Sequence, residues 1–482
     1  MNHPSAYEGK RVVVLGLARS GVSVAKVFHS LGAEVVVNDM KKRELCPEAD
    51  ELAALGISVL CGYHPSDLVT AETALLVKNP GIPYTAAPVQ QALEHNVEII
   101  TEVEAAYWLS PAPIIGITGS NGKTTTTTWL GELLTAAGLS PIIAGNIGRP
   151  LCEAALEASP EHWLVAELSS FQLKGTIAFR PRIGLLLNLA ETHLDYHGGM
   201  DDYIASKAKL FANQTADDVA VLNWDDPICR RISEGLTAKL LPFSLYERLE
   251  TGVYVEPPFS REEEKAAASS EAVARKIVYR SGLTADNDAI VVVPVDELGI
   301  PGRHNVANAL AAVAASIAAG AEIKRLVEPL QQFRAVEHRL EYVREAGGVK
   351  YYNDSKATNP ASTMMAIGSL PGKIVLIAGG LDRGSDYMEL LPIFRDRLKG
   401  LVALGETRGK LARVAELAGL GSVEIAEPVE DAEQTLRLAV KQAAALAEPG
   451  DIVLLSPACA SWDMFASYEQ RGRIFKDSAH TL

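Results

Sequence analysis

The stretch IIGITGSNGKTT, residues 114–125, joins an apolar run to a glycine-rich loop that ends in lysine and threonine. A strand that leads through such a loop into a helix presents backbone N–H groups to phosphates. Lys123 is placed to reach the outer phosphates of a nucleotide, and the Thr124 hydroxyl to bind Mg²⁺. The spacing departs from the usual phosphate-loop pattern, because Ile117 stands where the first glycine is expected. The stretch favours phosphate binding over a plain glycine-rich turn.

Outward from this stretch, short β-rich runs alternate with longer amphipathic runs, which predicts α/β architecture with mostly parallel sheets. Besides the run before the loop, the predicted strands are 11–17, 34–39, 57–62, 74–80, 97–101, 162–168, 182–189, 218–223, 349–355, 373–380, 400–405, 422–427 and 451–457. A chain of 482 residues suggests about three domains. Proline- and glycine-containing stretches at 110–113 and 299–302 divide it into 1–110, 111–300 and 301–482. We expect Rossmann-like first and third domains around a central phosphate-loop ATPase-type domain.

The overall composition excludes several classes of protein. The formal net charge of -15 argues against a nucleic-acid partner, because phosphate backbones attract basic surfaces. The five cysteines form no CxxC pair, which fits a reducing compartment. The chain has no apolar run of membrane-span length and no apolar signal core at its N-terminus. We therefore expect a cytoplasmic protein without a membrane partner.

Three ionisable residues follow the phosphate loop in the predicted central domain. Glu167 ends a predicted strand, where parallel sheets bind ligands, and its carboxylate suits Mg²⁺ or, alternatively, a helix cap. His193 lies beyond the next predicted strand, and its pattern leaves a metal or phosphate role and a structural role equally open. Lys207 shares a helical face with Tyr203 and Leu210. By pattern alone, a lysine that snorkels to the surface is the better interpretation.

A second glycine loop, Gly16 to Gly21, follows the first predicted strand and resembles a dinucleotide-binding fingerprint. Ala18 replaces the middle glycine, which normally lets a pyrophosphate approach the backbone closely. Asp39, at the end of the second predicted strand, could still bond a ribose hydroxyl. The loop is therefore weak support for NAD binding, and a structural turn is nearly as good an interpretation.

Together these motifs resemble the Mur ligases along essentially the whole chain. The central matches are TGSNGKTT, GNIG (145–148), ELSSFQL (167–173) and NLAETHLDYH (188–197). Further matches are NDSKATNP (353–360), IAGGLDRG (377–384), LLSPACASWDMF (454–465) and SYEQRG (467–472). The resemblance implies an ATP-dependent ligase of peptidoglycan precursor synthesis. Because DSKATNP replaces the DYxHxP-like segment of sister ligases, it implies D-glutamate as the added amino acid and UDP-N-acetylmuramoyl-L-alanine as the acceptor.

The resemblance also implies roles for individual residues. Lys123, Glu167, His193 and Lys207 would be catalytic. ATP would contact Gly119, Ser120, Asn121, Gly122, Lys123, Thr124, Thr125, Asn305, Asn308, Arg339 and Asp354. The UDP-linked substrate would contact Arg19, Ser20, Asp39, Met40, Lys41, Asn79, Gly81, Asn146 and His193. D-glutamate would contact Lys356, Thr358, Arg383, Ser461, Trp462 and Tyr468. Metal, expected as two Mg²⁺ ions, would be held by Thr124, Glu167, His193 and a carbamylated Lys207.

The resemblance further implies a monomer that takes no partner beyond its three substrates. In the substrate pocket Arg383 replaces the lysine that is usual in the family, and arginine also binds carboxylates.

Within enzymes, the alternatives are another Mur ligase or a folylpolyglutamate synthase, against which the DSKATNP and SPACAS segments argue. A nucleotide-sensing binding protein and an NAD-dependent dehydrogenase are the remaining hypotheses, and Ala18 argues against the dehydrogenase.

Overall fold

A computed structural model describes residues 3–191, 194–261, 273–282, 289–334 and 337–482. Within these ranges the strands form three separate sheets, which follow one another along the chain. The chain divides into two compact units, 1–297 with 307–331, and 298–306 with 332–482. The first two sheets belong to the first unit and the third sheet to the second.

The first sheet is parallel throughout. Its strands are β1 (Arg11–Leu15), β2 (Glu34–Asp39), β3 (Ser58–Cys61), β4 (Thr73–Lys78) and β5 (Ile99–Ile100). Its helices are α1 (Arg19–Ser30), α2 (Glu48–Ala54), α3 (Ala87–Glu94) and α4 (Glu102–Leu109). The strand order is β3-β2-β1-β4-β5, so the order reverses between β1 and β4. Such a reversal opens a crevice beyond the carboxyl ends of the two strands, where α/β proteins bind ligands.

The second sheet carries the phosphate loop. Its strands are β6 (Ile114–Thr118), β7 (Ser140–Gly145), β8 (His162–Glu167), β9 (Ile183–Leu186), β10 (Val219–Asn223), β11 (Lys239–Ser244), β12 (Gly252–Glu256), β13 (Lys276–Arg280) and β14 (Ile290–Pro294). Its helices are α5 (Lys123–Ala136), α6 (Leu151–Glu157), α7 (Ser170–Lys174), α8 (Leu194–His197), α9 (Met200–Ala208) and α10 (Pro227–Ser233). The order is β14-β13-β12-β11-β10-β9-β6-β8-β7, and only β13 and β14 are antiparallel to their neighbours among the described strands.

The third sheet forms the core of the second unit. Its strands are β15 (Glu341–Ala346), β16 (Val349–Asn353), β17 (Ile374–Gly379), β18 (Leu398–Leu404), β19 (Val423–Ile425) and β20 (Ile452–Leu455). The remaining helices are α11 (Arg303–Ala318), α12 (Val327–Gln332), α13 (Pro360–Ser369), α14 (Leu391–Arg397), α15 (Arg408–Leu417), α16 (Ala432–Leu446) and α17 (Tyr468–His480). The order β15-β16-β20-β17-β18-β19 brings β16, β20 and β17 side by side in parallel.

Three successive α/β sheets confirm the predicted fold class. The predicted boundary near residue 300 assigns the alanine-rich helix α11 to the third domain. Contacts instead place residues 307–331 with the first unit, in which the Thr126 hydroxyl donates a hydrogen bond to the Asn308 side chain at 3.3 Å. The boundaries themselves stay a prediction.

Candidate active site

The phosphate loop has the predicted strand-loop-helix geometry, since it connects β6 to α5. Gly122 is the N-cap residue just before α5. Its φ of 82° is a left-handed conformation that favours glycine. A Cβ added there would lie 2.3 Å from Oδ1 of Asn308, so the side chain would also clash. Asn121 is held at both ends, because its N–H donates to Oδ1 of Asn188 at 2.8 Å and its carbonyl accepts from Nδ2 of Asn188. Sequence reasoning missed Asn188, although it opens the quoted NLAETHLDYH segment.

Two lysine amines converge on this loop. Nζ of Lys123 donates to the carbonyl oxygens of Gly119 at 2.9 Å and Ser120 at 3.1 Å. Nζ of Lys207, from α9, donates to the same Gly119 oxygen at 2.9 Å and to Oγ1 of Thr118 at 3.1 Å. Lys207 is 1% exposed, so the surface position that its pattern favoured is wrong. Burial, reinforced by the charge of Lys123 and opposed by Glu167, lowers the pKa of Lys207 well below its ordinary value.

Tyr203 explains why Lys207 turns inward. The tyrosine lies one helical turn earlier on α9, and its ring centroid is 4.9 Å from Nζ of the lysine. The Tyr203 hydroxyl lies 2.8 Å from the Ser120 hydroxyl, which also accepts from the N–H of Ala190. Tyr203 and Lys207, two of the three buried residues of α9, therefore bind the phosphate loop, which fixes the helix against it.

Glu167 stands at the carboxyl end of β8, beside β6. Its Oε1 accepts a hydrogen bond from Nδ2 of Asn146 at 2.8 Å, whereas its Oε2 is buried and has no hydrogen-bond partner among the described residues. The alternative role as a helix cap is wrong, because the side chain of Ser169 caps α7 in a capping box with Gln172.

The donor set around this loop fits Mg²⁺. A buried carboxylate oxygen without a hydrogen bond is costly unless a cation covers it, and Mg²⁺ binds through one or two carboxylates together with substrate phosphates and water. Thr124, the second residue of α5, is buried in the same loop. The described residues contain no cluster of three acidic, histidine or cysteine side chains that could hold a metal unaided. His193 lies outside the described residues.

The loops at the crevice of the first sheet carry seven of the nine residues that the resemblance assigns to the UDP-linked substrate, whereas Asn146 lies beside Glu167 in the second sheet and His193 is outside the described residues. The Ser20 hydroxyl donates to Oδ1 of Asn79 at 2.6 Å, which joins the loops after β1 and β4. Oδ2 of Asp39 accepts from the Leu17 N–H and Oδ1 from the Lys41 N–H, both at 2.8 Å. Arg19, Met40, Lys41 and Gly81 are exposed. The carboxylate of Asp39 thus accepts from backbone N–H groups of the loops after β1 and β2, which argues against the ribose contact of a dinucleotide site.

In the second unit, five of the six residues predicted to bind the amino acid follow the carboxyl ends of three neighbouring parallel strands of the third sheet. Lys356 and Thr358 follow β16, Arg383 follows β17, and Ser461 and Trp462 follow β20. Nζ of Lys356 lies 5.4 Å from the ring centroid of Tyr468, and the Arg383 guanidinium lies 5.2 Å from that of Trp462. The Trp462 ring is 66% exposed, although a ring of this size is usually covered. Each of these two cations thus lies against an aromatic ring, and two such cations would suit a dicarboxylate.

Arg471 connects the loops of this pocket, and sequence reasoning missed it although the SYEQRG segment contains it. It is 1% exposed, and Nη2 donates to the carbonyl oxygens of Ser355 at 2.8 Å and Cys459 at 3.2 Å. Its Nη1 lies 3.5 Å from the carbonyl oxygen of Gly379. Burial lowers the pKa of Arg471 to about 10, which still leaves it charged at neutral pH.

Of the predicted nucleotide residues of the second unit, Asp354 and Asn305 are buried and Arg339 is half-buried. Oδ2 of Asp354 accepts from the Ser456 hydroxyl at 2.8 Å, and burial, opposed in part by Arg339, raises the pKa of Asp354 to about 7. His338 has φ of 65°, and its Nδ1 lies 2.9 Å from Nδ2 of Asn353. Nδ2 of Asn305 donates to the Pro301 carbonyl at 2.6 Å.

The fold and the site define a ligase built from three α/β domains, and the chain belongs to the Mur ligase family. Three domain patterns match it: the MurD-like N-terminal domain at residues 10–101, the Mur ligase middle domain at 117–316 and the Mur ligase glutamate ligase domain at 338–459. Membership confirms the predicted enzyme class, an ATP-dependent ligase.

Curated relatives match along the full length. Several relatives are named UDP-N-acetylmuramoylalanine–D-glutamate ligase. The one from Geobacillus sp. (strain WCH70) is 44% identical to this chain over 100% of both chains. The relative from Shouchella clausii (strain KSM-K16) is 45% identical over 98% of this chain and 97% of its own. The relative from Streptococcus pneumoniae (strain P1031) is 43% identical over 99% of this chain and 98% of its own.

Solved structures show the same fold at low identity. UDP-N-acetylmuramate-alanine ligase MurC from Thermotoga maritima aligns with a TM-score of 0.59 and 18% identity, over 98% of this chain and 100% of that chain. MurF ligase from Thermotoga maritima, in complex with ADP, aligns with a TM-score of 0.58 and 18% identity, over 93% of this chain and 95% of that chain. In the part of the chain that the structure describes, every helix is too short or too polar to cross a membrane.

Proposed function

We propose that this chain uses ATP to join the amine of D-glutamate to the free carboxylate of UDP-N-acetylmuramoyl-L-alanine, releasing ADP and phosphate in peptidoglycan precursor synthesis. The observation that carries the proposal is the full-length match, at 42–45% identity, to relatives named for this reaction. The two lysines at a phosphate loop, of which Lys207 is buried, and the cationic residues at the third sheet supply the chemistry that such a reaction needs.

The first step forms a bond between a carboxylate oxygen of the UDP-linked substrate and the γ-phosphorus of ATP, while the bond to the ADP oxygen breaks. Lys123 stabilises the negative charge on the transferring phosphoryl group. Glu167 and Thr124 would hold Mg²⁺, which when bound acts as a Lewis acid on the phosphate oxygens. Asn146 keeps the Glu167 carboxylate oriented through its hydrogen bond to Oε1.

In the second step the amine nitrogen of D-glutamate bonds to the acyl carbon, phosphate leaves, and the amine loses a proton. Lys356 and Arg383 would bind the two carboxylates of D-glutamate, because charge-assisted hydrogen bonds to carboxylates are strong and directional. The walls of that pocket would be Thr358, Ser461, Trp462 and Tyr468. Asn305, Asn308, Arg339 and Asp354 would contact the nucleotide.

The site supports a carbamate on Lys207. Carbamylation requires the neutral amine to attack CO₂, after which the nitrogen loses a proton and an anionic group with two oxygens results. A lowered pKa supplies the neutral amine near neutral pH. The carbamate would replace a cation beside Glu167 with an anion, and so allow a second Mg²⁺. His193 would complete the metal site.

We further propose a cytoplasmic monomer, since ATP and the UDP-linked precursor are substrates of the cytoplasm. Light scattering after size-exclusion chromatography would give the mass of one chain in that case. A mass of two chains at micromolar concentration would contradict it.

The decisive experiment measures phosphate release from ATP with UDP-N-acetylmuramoyl-L-alanine and each of D-glutamate, L-glutamate, L-alanine, L-lysine and meso-diaminopimelate. We expect release with D-glutamate only, and formation of the amide product by mass spectrometry. Release with a different amino acid would keep the ligase and refute the assigned substrate. No release with any of them would refute the proposal and favour a nucleotide-sensing protein.

A further inference from the structure

The last residue of β4, Lys78, is a lysine buried in the first unit with 1% of its surface exposed. Its Nζ donates to the backbone oxygens of Asn79 at 3.3 Å and Pro80 at 3.2 Å. It also donates to the hydroxyl oxygen of Tyr196 at 3.2 Å, and lies 4.9 Å from the ring centroid of Tyr84. Burial of a lysine is unfavourable, so a buried lysine that binds backbone oxygens fixes their position at a cost in stability.

The backbone that Lys78 binds is the β4 side of the ligand crevice in the first sheet. The Asn79 N–H donates to the carbonyl of Leu15 at 2.8 Å, and its side chain accepts from Ser20 across the crevice. Gly16 has φ of 102°, and a Cβ there would lie 2.4 Å from Nδ2 of Asn79. The two loops at the strand reversal are therefore in close contact, and a small movement of Asn79 changes the shape of the crevice.

Tyr196 belongs to α8, which lies between β9 and β10 of the second sheet in the sequence, and it binds the same backbone. Its hydroxyl lies 3.0 Å from the carbonyl oxygen of Pro80 and 3.3 Å from that of Ile82. The Tyr196 ring packs edge to face on Phe171, with centroids 4.5 Å apart. The loop after β4 is thus attached, through Tyr196, to α7 and α8, two helices that follow strands of the second sheet.

The residue after Tyr196 is fixed as well. Nδ1 of His197 lies 2.5 Å from Oδ2 of Asp202, and Nε2 lies 3.0 Å from Oγ of Ser170. This order of groups resembles a hydrolase triad. Ser170, however, is 2% exposed, and Phe171 stacks on the imidazole of His197. The three hydrogen-bonded side chains therefore orient Tyr196 and do not contact a substrate. Lys174 also binds both oxygens of Asp202, at 2.7 and 2.8 Å.

We propose that Lys78 is a positioning residue for the UDP-linked substrate: together with Tyr196 it holds the backbone of residues 79–81 in the conformation that the crevice of the first sheet needs. The inference rests on the proposed function. It predicts that Lys78 acts on the affinity for the UDP-linked substrate and not on the affinity for ATP or D-glutamate.

The charge of Lys78 makes this role sensitive to pH. Burial, reinforced by the charge of Lys174, lowers the pKa of Lys78 to about 8. The groups that face it are Lys174, which is bound to Asp202, and the hydroxyls of Tyr84 and Tyr196. Burial raises the pKa of both tyrosines, so they stay neutral. Above pH 8 the neutral amine of Lys78 makes weaker hydrogen bonds, because charge-assisted bonds are roughly twice as strong as neutral ones.

The test uses steady-state phosphate release by the full chain with each substrate varied in turn. We expect Lys78→Met to raise KM for UDP-N-acetylmuramoyl-L-alanine by about tenfold or more, with KM for ATP and D-glutamate within about twofold. Tyr196→Phe removes the hydroxyl and should shift the same KM by a smaller factor. The matched control is Lys10→Met, which removes an exposed lysine 5.7 Å from the ring of Tyr7 in the same domain.

A pH series separates positioning from a purely structural role. For the wild type, we expect KM for the UDP-linked substrate to rise between pH 7 and 9, and Lys78→Arg to abolish the rise because arginine stays charged. An unchanged KM for this substrate in Lys78→Met, or a rise with pH that persists in Lys78→Arg, would overturn the inference. If Lys78→Met does not fold, the pH dependence of KM in Lys78→Arg and the KM shift in Tyr196→Phe decide whether the inference holds. An inactive wild type would refute the proposed function instead.

Discussion

Nδ2 of Asn146 donates a hydrogen bond to Oε1 of Glu167 at 2.8 Å, while the backbone N–H of Asn146 donates to the Glu167 carbonyl at the same distance. The amide thus fixes the carboxylate in one rotamer. It leaves Oε2 buried and, among the described residues, without a hydrogen bond. The pair therefore leaves one carboxylate oxygen for the Mg²⁺ ion that we propose.

Asn146→Ala should therefore weaken metal binding more than it weakens the chemical step. Residues that orient metal ligands typically contribute about 10- to 100-fold in metal affinity. We expect the Mg²⁺ concentration for half-maximal phosphate release to rise by about tenfold, with part of kcat recovered at saturating Mg²⁺. The control is Asn213→Ala, an exposed asparagine that bonds the carbonyl oxygens of Ile177 and Phe179. An unchanged Mg²⁺ requirement in Asn146→Ala would show that Glu167 needs no orientation.

Lys207→Met should abolish ligase activity and yet stabilise the fold. Both acceptors of the lysine keep another partner, since the Gly119 carbonyl also accepts from Lys123 and the Thr118 hydroxyl donates to Leu168. A folded pKa below the unfolded value means that the wild type gains stability as the pH rises. The stability advantage of the methionine variant over the wild type should thus be larger at pH 6 than at pH 9.

The measurement is urea unfolding of both proteins without Mg²⁺ or bicarbonate. A separate assay of the wild type in CO₂-depleted buffer should show reduced phosphate release that added bicarbonate restores. Equal stability of the two proteins at both pH values would mean that Lys207 is not held neutral by burial.

Glu102 predicts a second pH effect, at the start of α4. Its Oε1 accepts from the Cys152 N–H at 2.5 Å, and burial raises the pKa of Glu102 to about 7. In the unfolded chain the pKa of a glutamate is about 4.3. The stability that Glu102 contributes is therefore fully present below pH 4.3 and is lost as the pH rises through 7. Glu102→Gln should be about 1–3 kcal/mol more stable than the wild type at pH 8, and about equal near pH 4.5.

Denaturant unfolding at the two pH values checks this prediction. Glu94→Gln, at the exposed end of α3, is the matched control and should change stability at neither pH. A glutamine variant that is less stable than the wild type at pH 8 would indicate that Glu102 stays ionised.

Arg383→Ala tests the amino-acid pocket. Hydrogen bonds to charged groups contribute about 1.5–3 kcal/mol, which corresponds to a rise in KM for D-glutamate of about 10- to 150-fold. KM for ATP and for the UDP-linked substrate should stay within about twofold. Arg413→Ala, which removes an exposed ion pair with Glu416, should change none of the three. A normal KM for D-glutamate in Arg383→Ala would place its carboxylates elsewhere.

The sequence predicted the parallel strands well, because strands buried on both faces are continuous apolar runs. RVVVLGL and KIVLIAGG contain β1 and β17, for example. It missed β7, β11, β12, β13, β14 and β15, of which β11, β12 and β13 lie inside the second sheet and the other three lie at the edges of sheets. β7 is half-exposed and contains proline, and β14 has its first two residues exposed. Edge strands lack the apolar pattern, since only one neighbour covers them.

The site was predictable where a motif carries the chemistry, as at Lys123, and less so where packing does. Lys207 looked like a surface lysine because a helical pattern does not show that Tyr203 turns its face toward the loop. Asn188 and Arg471 bind backbone oxygens of other loops, and such partners are fixed only by the folded chain. No spacing in the sequence shows them.

One guanidinium, that of Arg471, binds the backbone after β16, at the end of β17 and after β20. Redesign of the amino-acid preference by grafting a single loop should therefore fail more often than exchange of all three loops with α17. The three loops are one module for protein engineering, and homologous recombination that separates them would produce chimeras with displaced loops.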